Sequence, residues 1–146
     1  MANLSEYAQS GILNWWLRAN SNGFKPPLNV CIALCSGIPG EANNGGNIPE
    51  IANAGGYVRL NLGAPSNTFL SDWSLVSISG EIQNPSTLVF VQASTNWGMV
   101  SGVAVLDSGV YGSGNTLMFG ALSAPRDVKS GDTFQFNSNN FDIFLG

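Results

Sequence analysis

The sequence predicts an all-β fold, a β-sandwich or jelly-roll-like barrel with one N-terminal α-helix. Three observations carry this expectation. Residues 95–145 are a series of short apolar runs cut at regular intervals by Gly, Asn, Ser and Asp, as in TNWGMVSGVAVLD and TLMFGALSAPRDVKSGDTFQFNSNNFDIFL. Similar runs begin at Gly56, and strands at this spacing, joined by turns, are the pattern of sandwiches and barrels. Helical periodicity is confined to residues 3–19.

Size and composition set the outer bounds. At 146 residues the chain reads as one domain, 1–146. A chain of this length buries roughly two thirds of its unfolded surface, so it can hold a real core. Hydrophobic residues make up 44% and charged residues only 10%, far below the roughly 25% charge of an ordinary soluble domain. The outer surface is therefore covered by Asn, Ser, Gly and Thr, or by another protein. The net charge is −4. The five cations, Arg18, Lys25, Arg59, Arg126 and Lys129, are scattered, and no basic stripe is present to neutralise a row of phosphates. Nucleic acid is not expected as a partner. No apolar run approaches the roughly 20 residues of a membrane span, so no membrane partner is expected either. The start, MANLSEYAQSG, lacks the basic and apolar regions of a signal peptide, and folding in a cytoplasm is expected.

The elements follow in order. In the helix at 3–19, Asn3 is placed to cap the N-terminus, with Glu6 three residues on. Leu4, Tyr7, Ala8, Gly11, Ile12, Trp15 and Trp16 recur at helical spacing, and Asn20 to Gly23 stop it. One side packs on the sheet. Adjacent Trp residues point about 100° apart, so either both serve the core or one is left for a partner. Tyr7, Trp15 and Trp16 are accordingly candidate partner-binding residues.

Lys25-Pro26-Pro27 leads into a strand at 28–36 that contains Cys31 and Cys35. Four residues apart on a strand, the two cysteines lie about 13 Å apart, beyond the roughly 7 Å of a disulfide. They read as buried thiols acting as small hydrophobes. The polar loop at 37–55 is either an arm reaching a neighbouring subunit or a flexible segment. Glu41, Asn44, Ile48 and Glu50 are its candidate contacts.

Residues 57–62 alternate, with Val58, Leu60 and Leu62 on the apolar face. A strand at 69–78 surrounds Trp73, and 81–83 is a short edge before the Asn84-Pro85 turn. The run 88–91 is apolar enough for burial on both faces. Gly102, inside the strand at 99–106, suggests a bulge or a close backbone approach. A Gly/Ser hairpin loop at 107–115 precedes strands at 116–122, 133–136 and 141–145. Five residues read as fold-defining. Gly56 and Gly131 supply turns with positive φ, and Asp132 accepts N–H groups in its turn. Trp97 with Gly98 packs the core beside Val103 and Val105.

No chemistry assembles from these residue types. The chain has no histidine, so Ser-His-Asp and Cys-His nucleophiles are ruled out and Cys31 has no general base. Two cysteines without histidine make no zinc site. Asp107, Ser108 and Asn115 flank one loop, where turn geometry explains them better than calcium. Asp72, Asp107, Asp127, Asp132 and Asp142 sit mostly beside Gly, Ser, Asn or Arg in turns, which points away from the paired carboxylates of glycoside hydrolysis. The expectation is a protein that is not an enzyme, with no cofactor and no metal. Sugar binding is compatible with the composition, with Trp73 or Trp97 as a stacking platform, although Trp97 before Gly98 reads as a core residue at a strand start.

The order of the words carries a resemblance over nearly the whole chain. NLSEYAQSGILNWWLR leads into PPLNVCIALCSG, followed by GGYVR, LGAPS, STNWGMV, GVAVLD, GAL and SGDTF. This order resembles small single-domain structural proteins of tailed phages, both those of tail-fibre type and capsid cement (decoration) proteins, including those of phages infecting cyanobacteria. Two features depart from the pattern. Cys35-Ser36-Gly37 stands where such proteins carry a polar Thr/Ser-Asp-Pro-like turn, and the 37–55 loop differs in length. The resemblance implies no catalytic residues. It leads to the expectation of a cement protein on the capsid exterior, assembled in the host cytoplasm, binding the major capsid protein and itself as a homotrimer. The alternative is a tail-fibre or tail-tip component that binds host surface glycans. A free lectin or polysaccharide hydrolase is the remaining rival.

Overall fold

The computed structural model describes residues 3–20, 23–66, 73–74 and 80–144. Its first element is a two-residue strand, β1 (Asn3–Leu4), and the helix α1 (Glu6–Arg18) follows. The cap is Ser5, which corrects the assignment to Asn3. Ser5 is extended at φ −71° and ψ 161°, its Oγ accepts the Ala8 N–H at 3.2 Å, and its hydroxyl donates to the Thr116 carbonyl. Asn3 is engaged elsewhere, paired opposite Phe119. The helix ends on Ala19 in the left-handed region, with the Asn20 N–H returning to the Asn14 carbonyl at 3.1 Å.

The central sheet contains β2 (Cys31–Cys35), β3 (Leu60–Asn61), β6 (Gly98–Leu106) and β7 (Thr116–Val128) along with β1. Its order is β1-β7-β6-β2-β3, with every pairing antiparallel. Two small antiparallel sheets form the facing layer: β4 (Glu81–Gln83) with β9 (Asp142–Phe144), and β5 (Leu88–Gln92) with β8 (Thr133–Phe136). The arrangement is a sandwich with a terminal helix, and no closed barrel forms among the described residues.

Strand alternation explains where the core sits. Ile32 and Leu34 face the space between the layers, in one cluster with Val103, Val105, Phe90 and Phe136. Ala33 and Cys35 face the other way, in a smaller cluster with Ala104, Leu106 and Ile48. All five residues of β2 are therefore buried. Both cysteines are free thiols inside it. Trp97 is buried in the main cluster with Val103 and Val105, its indole N–H bonded to the Gly55 carbonyl at 2.9 Å. Gly56, Gly98 and Gly131 have φ of 79°, 82° and 90°, and Asp132 accepts the Lys129 N–H at 2.9 Å.

Four strand readings are corrected. Residues 28–36 shorten to β2. In β5, Leu88 and Phe90 point inward while Val89 and Val91 are 48% and 45% exposed, so the run is not buried on both faces. At 57–62 Leu60 and Leu62 pack against the main cluster as read, but Val58 is outside, Tyr57 and Arg59 are the buried residues, and pairing is limited to β3. The fourth, β7, runs six residues beyond Leu122. It does so through a bulge: Gly102 faces Ala121 and Val100 faces Arg126, leaving residues 122–125 opposite Ser101 alone. Pro125, which has no N–H for a ladder, is tolerated there. The strand read at 69–78 lies mostly outside the described residues, as do Asp72 and Leu145. Trp73 is described and packs on Phe141 at 5.8 Å.

Candidate interaction surface

The helix is the anomaly of this surface. Ala8 is its one buried residue, while Leu13, Trp15, Trp16 and Leu17 are 56%, 54%, 72% and 77% exposed. At about 100° per residue, Leu17 stands opposite Ala8, Leu13 lies near it and Trp16 on the flank. Trp15 falls on Ala8's own side and is still exposed, so the body of the protein supports only the first turns. The last turns are apolar on every side but the one that carries Asn14 and Arg18, so the apolar arc is wider than a helix lying on a sheet needs. Neither Trp enters the core. Tyr7 is partly exposed and leans on Phe24, with ring centroids 5.8 Å apart. The Phe24 ring lies so close over Gly11 that a Cβ there would overlap it. A contiguous exposed apolar patch of this kind is a candidate contact surface.

The 37–55 loop is built and anchored. Asn43, Asn44 and Asn47 accept the N–H groups of Gly40, Gly46 and Asn44 at 2.7, 2.8 and 2.7 Å. The loop then returns along the part of the β2 edge beyond β3, where Ser36 donates to the Pro49 carbonyl at 2.8 Å and Ile51 to that of Leu34 at 3.0 Å. Glu41 is exposed, and its carbonyl accepts the Glu6 N–H at 3.0 Å, which ties the loop to the helix start. Asn44 is exposed too. Ile48 and Glu50, read from the sequence as partner contacts, are directed inward. Ile48 completes the smaller core cluster, and the Glu50 side chain is 4% exposed against a fully buried Arg59.

Arg59 is the residue that sequence reasoning missed. All its N–H donors are engaged. Nε and one terminal nitrogen fork onto the Glu50 carboxylate at 2.8 and 2.7 Å. The remaining bonds go to the carbonyls of Ser108, Ser113 and Gly45 at 2.9, 2.7 and 3.1 Å. The Tyr57 hydroxyl donates to Glu50 at 2.8 Å and accepts the Leu34 N–H at 3.0 Å. Burial, and then the charge of Glu50, push the Tyr57 hydroxyl far above its ordinary range. Burial works to lower the Arg59 value, but the hydrogen bonds and charge of Glu50 outweigh it and hold the guanidinium above its ordinary value. Burial followed by Glu50 raises the Cys35 thiol to about 12, so it stays protonated and unreactive. The one available signal in the sequence was an acid set between isoleucines, IPEI at 48–51, followed by an arginine in an alternating run.

This network clamps the loop to the 107–115 hairpin. Gly45 donates to the Gly114 carbonyl at 2.9 Å, and the Tyr111 hydroxyl to that of Ile51 at 3.1 Å. Asp107 accepts the backbone and side-chain N–H groups of Asn115 at 2.6 and 2.8 Å, so the two are bound to each other. Among the described residues no group of three His, Cys, Asp or Glu side chains could hold a metal, and no helix is long and apolar enough to cross a membrane. Trp97 packs edge-on to Tyr57 at 5.4 Å inside the core, which removes it as a sugar platform.

The sandwich thus directs its charged network inward and leaves the apolar end of α1 outside. The sequence model of the family described as "Podophage GP4 fiber I protein gp80" matches residues 3–143, and the chain belongs to that family. It is thus a bacteriophage structural protein, a component of the virion. A search of the curated proteins found no match.

Proposed function

We propose that this protein is a subunit of a fibre on the phage tail, attached to neighbouring subunits through the apolar end of α1, and that it acts by binding rather than by catalysis. The observation that carries this reading is the family match over 3–143, whose description names a fibre. The exposed Leu13, Trp15, Trp16 and Leu17 supply the attachment surface. Homotrimerisation through that surface, and host glycans as the outer ligand, belong to the same reading.

One observation favours a second reading, a capsid cement protein bound to the major capsid protein on the shell exterior. The sequence has no coiled-coil, collagen-like or β-helical repeat to build a shaft. A lattice of compact copies would add modest contacts by avidity. A map of the assembled particle with copy-number quantitation decides between the two. Density confined to the tail at low copy number is expected, and a regular array over the shell would replace the fibre reading with the cement one.

A further inference from the structure

Two hollows of about 330 and 350 Å³ open side by side below the β7 bulge, at the seam between the layers. Arg126, Phe134, Gln135 and Asn137 line both, which makes them one trough. Each is within the roughly 300–1,000 Å³ range of small-molecule sites. The floor of the first is apolar, formed by Val103, Val105 and the rings of Phe134, Phe136 and Phe141.

The rim is polar and exposed to solvent. Among the described residues the Arg126 guanidinium, the Asp142 carboxylate and the Asn140 amide have no side-chain hydrogen bond or ion pair, unlike Arg59, whose donors are all engaged. Arg126 is the cation lining the trough. It shares the first hollow with Asp142; in the second, Asp127 is paired with the Lys129 ammonium and Asp132 accepts the Lys129 N–H, both at 2.9 Å.

We infer that this trough is a binding site for a neutral oligosaccharide. An anionic ligand would meet more carboxylates than cations along the rim. A purely apolar ligand would strip water from the exposed guanidinium and carboxylate without giving either a partner, which is costly. A neutral sugar satisfies both kinds of group. Its hydroxyls accept from Arg126 and donate to Asp142, the Asn137 and Asn140 amides do either, and its C–H face covers the phenylalanine floor. Two joined hollows suit a chain of at least two sugar units, lying across Arg126. As the outer ligand of a tail fibre this site deepens the fibre reading and rests on it for its biological use.

The test is an array of neutral and acidic oligosaccharides probed with the full chain, followed by calorimetric titration of the best neutral binder. Binding to neutral members is expected. Arg126→Ala and Asp142→Ala should each weaken it about tenfold or more, as for loss of a hydrogen bond to a charged group. The thermal midpoint should not move, since neither side chain has a partner among the described residues. Val110→Ser, exposed on the 107–115 hairpin and outside the trough lining, should leave binding unchanged. A silent array, preference for acidic members, or affinity insensitive to both substitutions would overturn the site. So would a particle map in which a neighbouring subunit fills the trough. The array result is independent of position on the virion. A positive array with shell density therefore rejects the fibre reading and keeps the site, and a silent array with tail density does the reverse.

Discussion

Arg59 is the residue on which the loop, the hairpin and β2 converge. Its five hydrogen bonds join Glu50, Gly45, Ser108 and Ser113, and Tyr57 links the same carboxylate to β2 through Leu34. Removing one partner of a buried ion pair leaves the other charged in a poorly solvated site, at a cost of about 3–5 kcal/mol. Arg59→Met should destabilise the fold by that order, read as a lower urea midpoint. Adding Glu50→Leu should recover part of the loss and no more, because the three carbonyls still lack donors. In the sequence, Arg59 stands in an alternating run whose apolar members are Val58, Leu60 and Leu62. Hydropathy alone therefore assigned it to solvent. A buried arginine is affordable only with its partners in place, and those come from 9 to 54 residues away.

At the scale of elements, the break in register between β6 and β7 shapes the molecule most. Gly102 sits beside it, and a Cβ there would overlap the Gly37 carbonyl oxygen and crowd the Ile38 backbone. Gly102→Ala should cost about 1–3 kcal/mol, as overpacking against fixed backbone does. The check is chemical denaturation beside Gly112→Ala, where a Cβ meets nothing within 4 Å and only the positive φ of 72° is strained. The sequence reading of Gly102 was correct because a glycine inside an apolar strand has few other causes. The end of β7 was missed because Ser-Ala-Pro looks like a turn. Pairing of Arg126, Asp127 and Val128 with Val100, Met99 and Gly98 carries the strand past it. The error at Val89 and Val91 has a related origin. β-Branched residues suit a strand whether or not a layer covers it, and this face of β5 stays about half exposed at Val89 and Val91.

For the whole molecule, the apolar end of α1 is the feature that a free monomer has no use for. The double variant Trp16→Ser, Leu17→Ser changes side chains that are 72% and 77% exposed, so its stability should stay within about 0.5 kcal/mol of the wild type. Its incorporation into particles should fall sharply, measured by quantifying the protein in purified virions after complementation. Normal incorporation would show that α1 is not the attachment surface.

By itself, the sequence determined the fold class, the single helix, the buried free thiols and the turns at Gly56 and Gly131. Each is a local matter of periodicity, spacing or permitted φ, readable from neighbours in the chain. The family resemblance was legible for a similar reason, since the order of short words survives even where each word is weak. Only the tertiary structure decided that Ile48 and Glu50 turn inward, that Ser5 rather than Asn3 caps the helix, that both Trp residues stay outside, and that Arg126 lines a trough between the layers. These depend on which distant groups meet. Burial of a charge or exposure of an aromatic ring is set by partners supplied across the fold, and no local pattern encodes them.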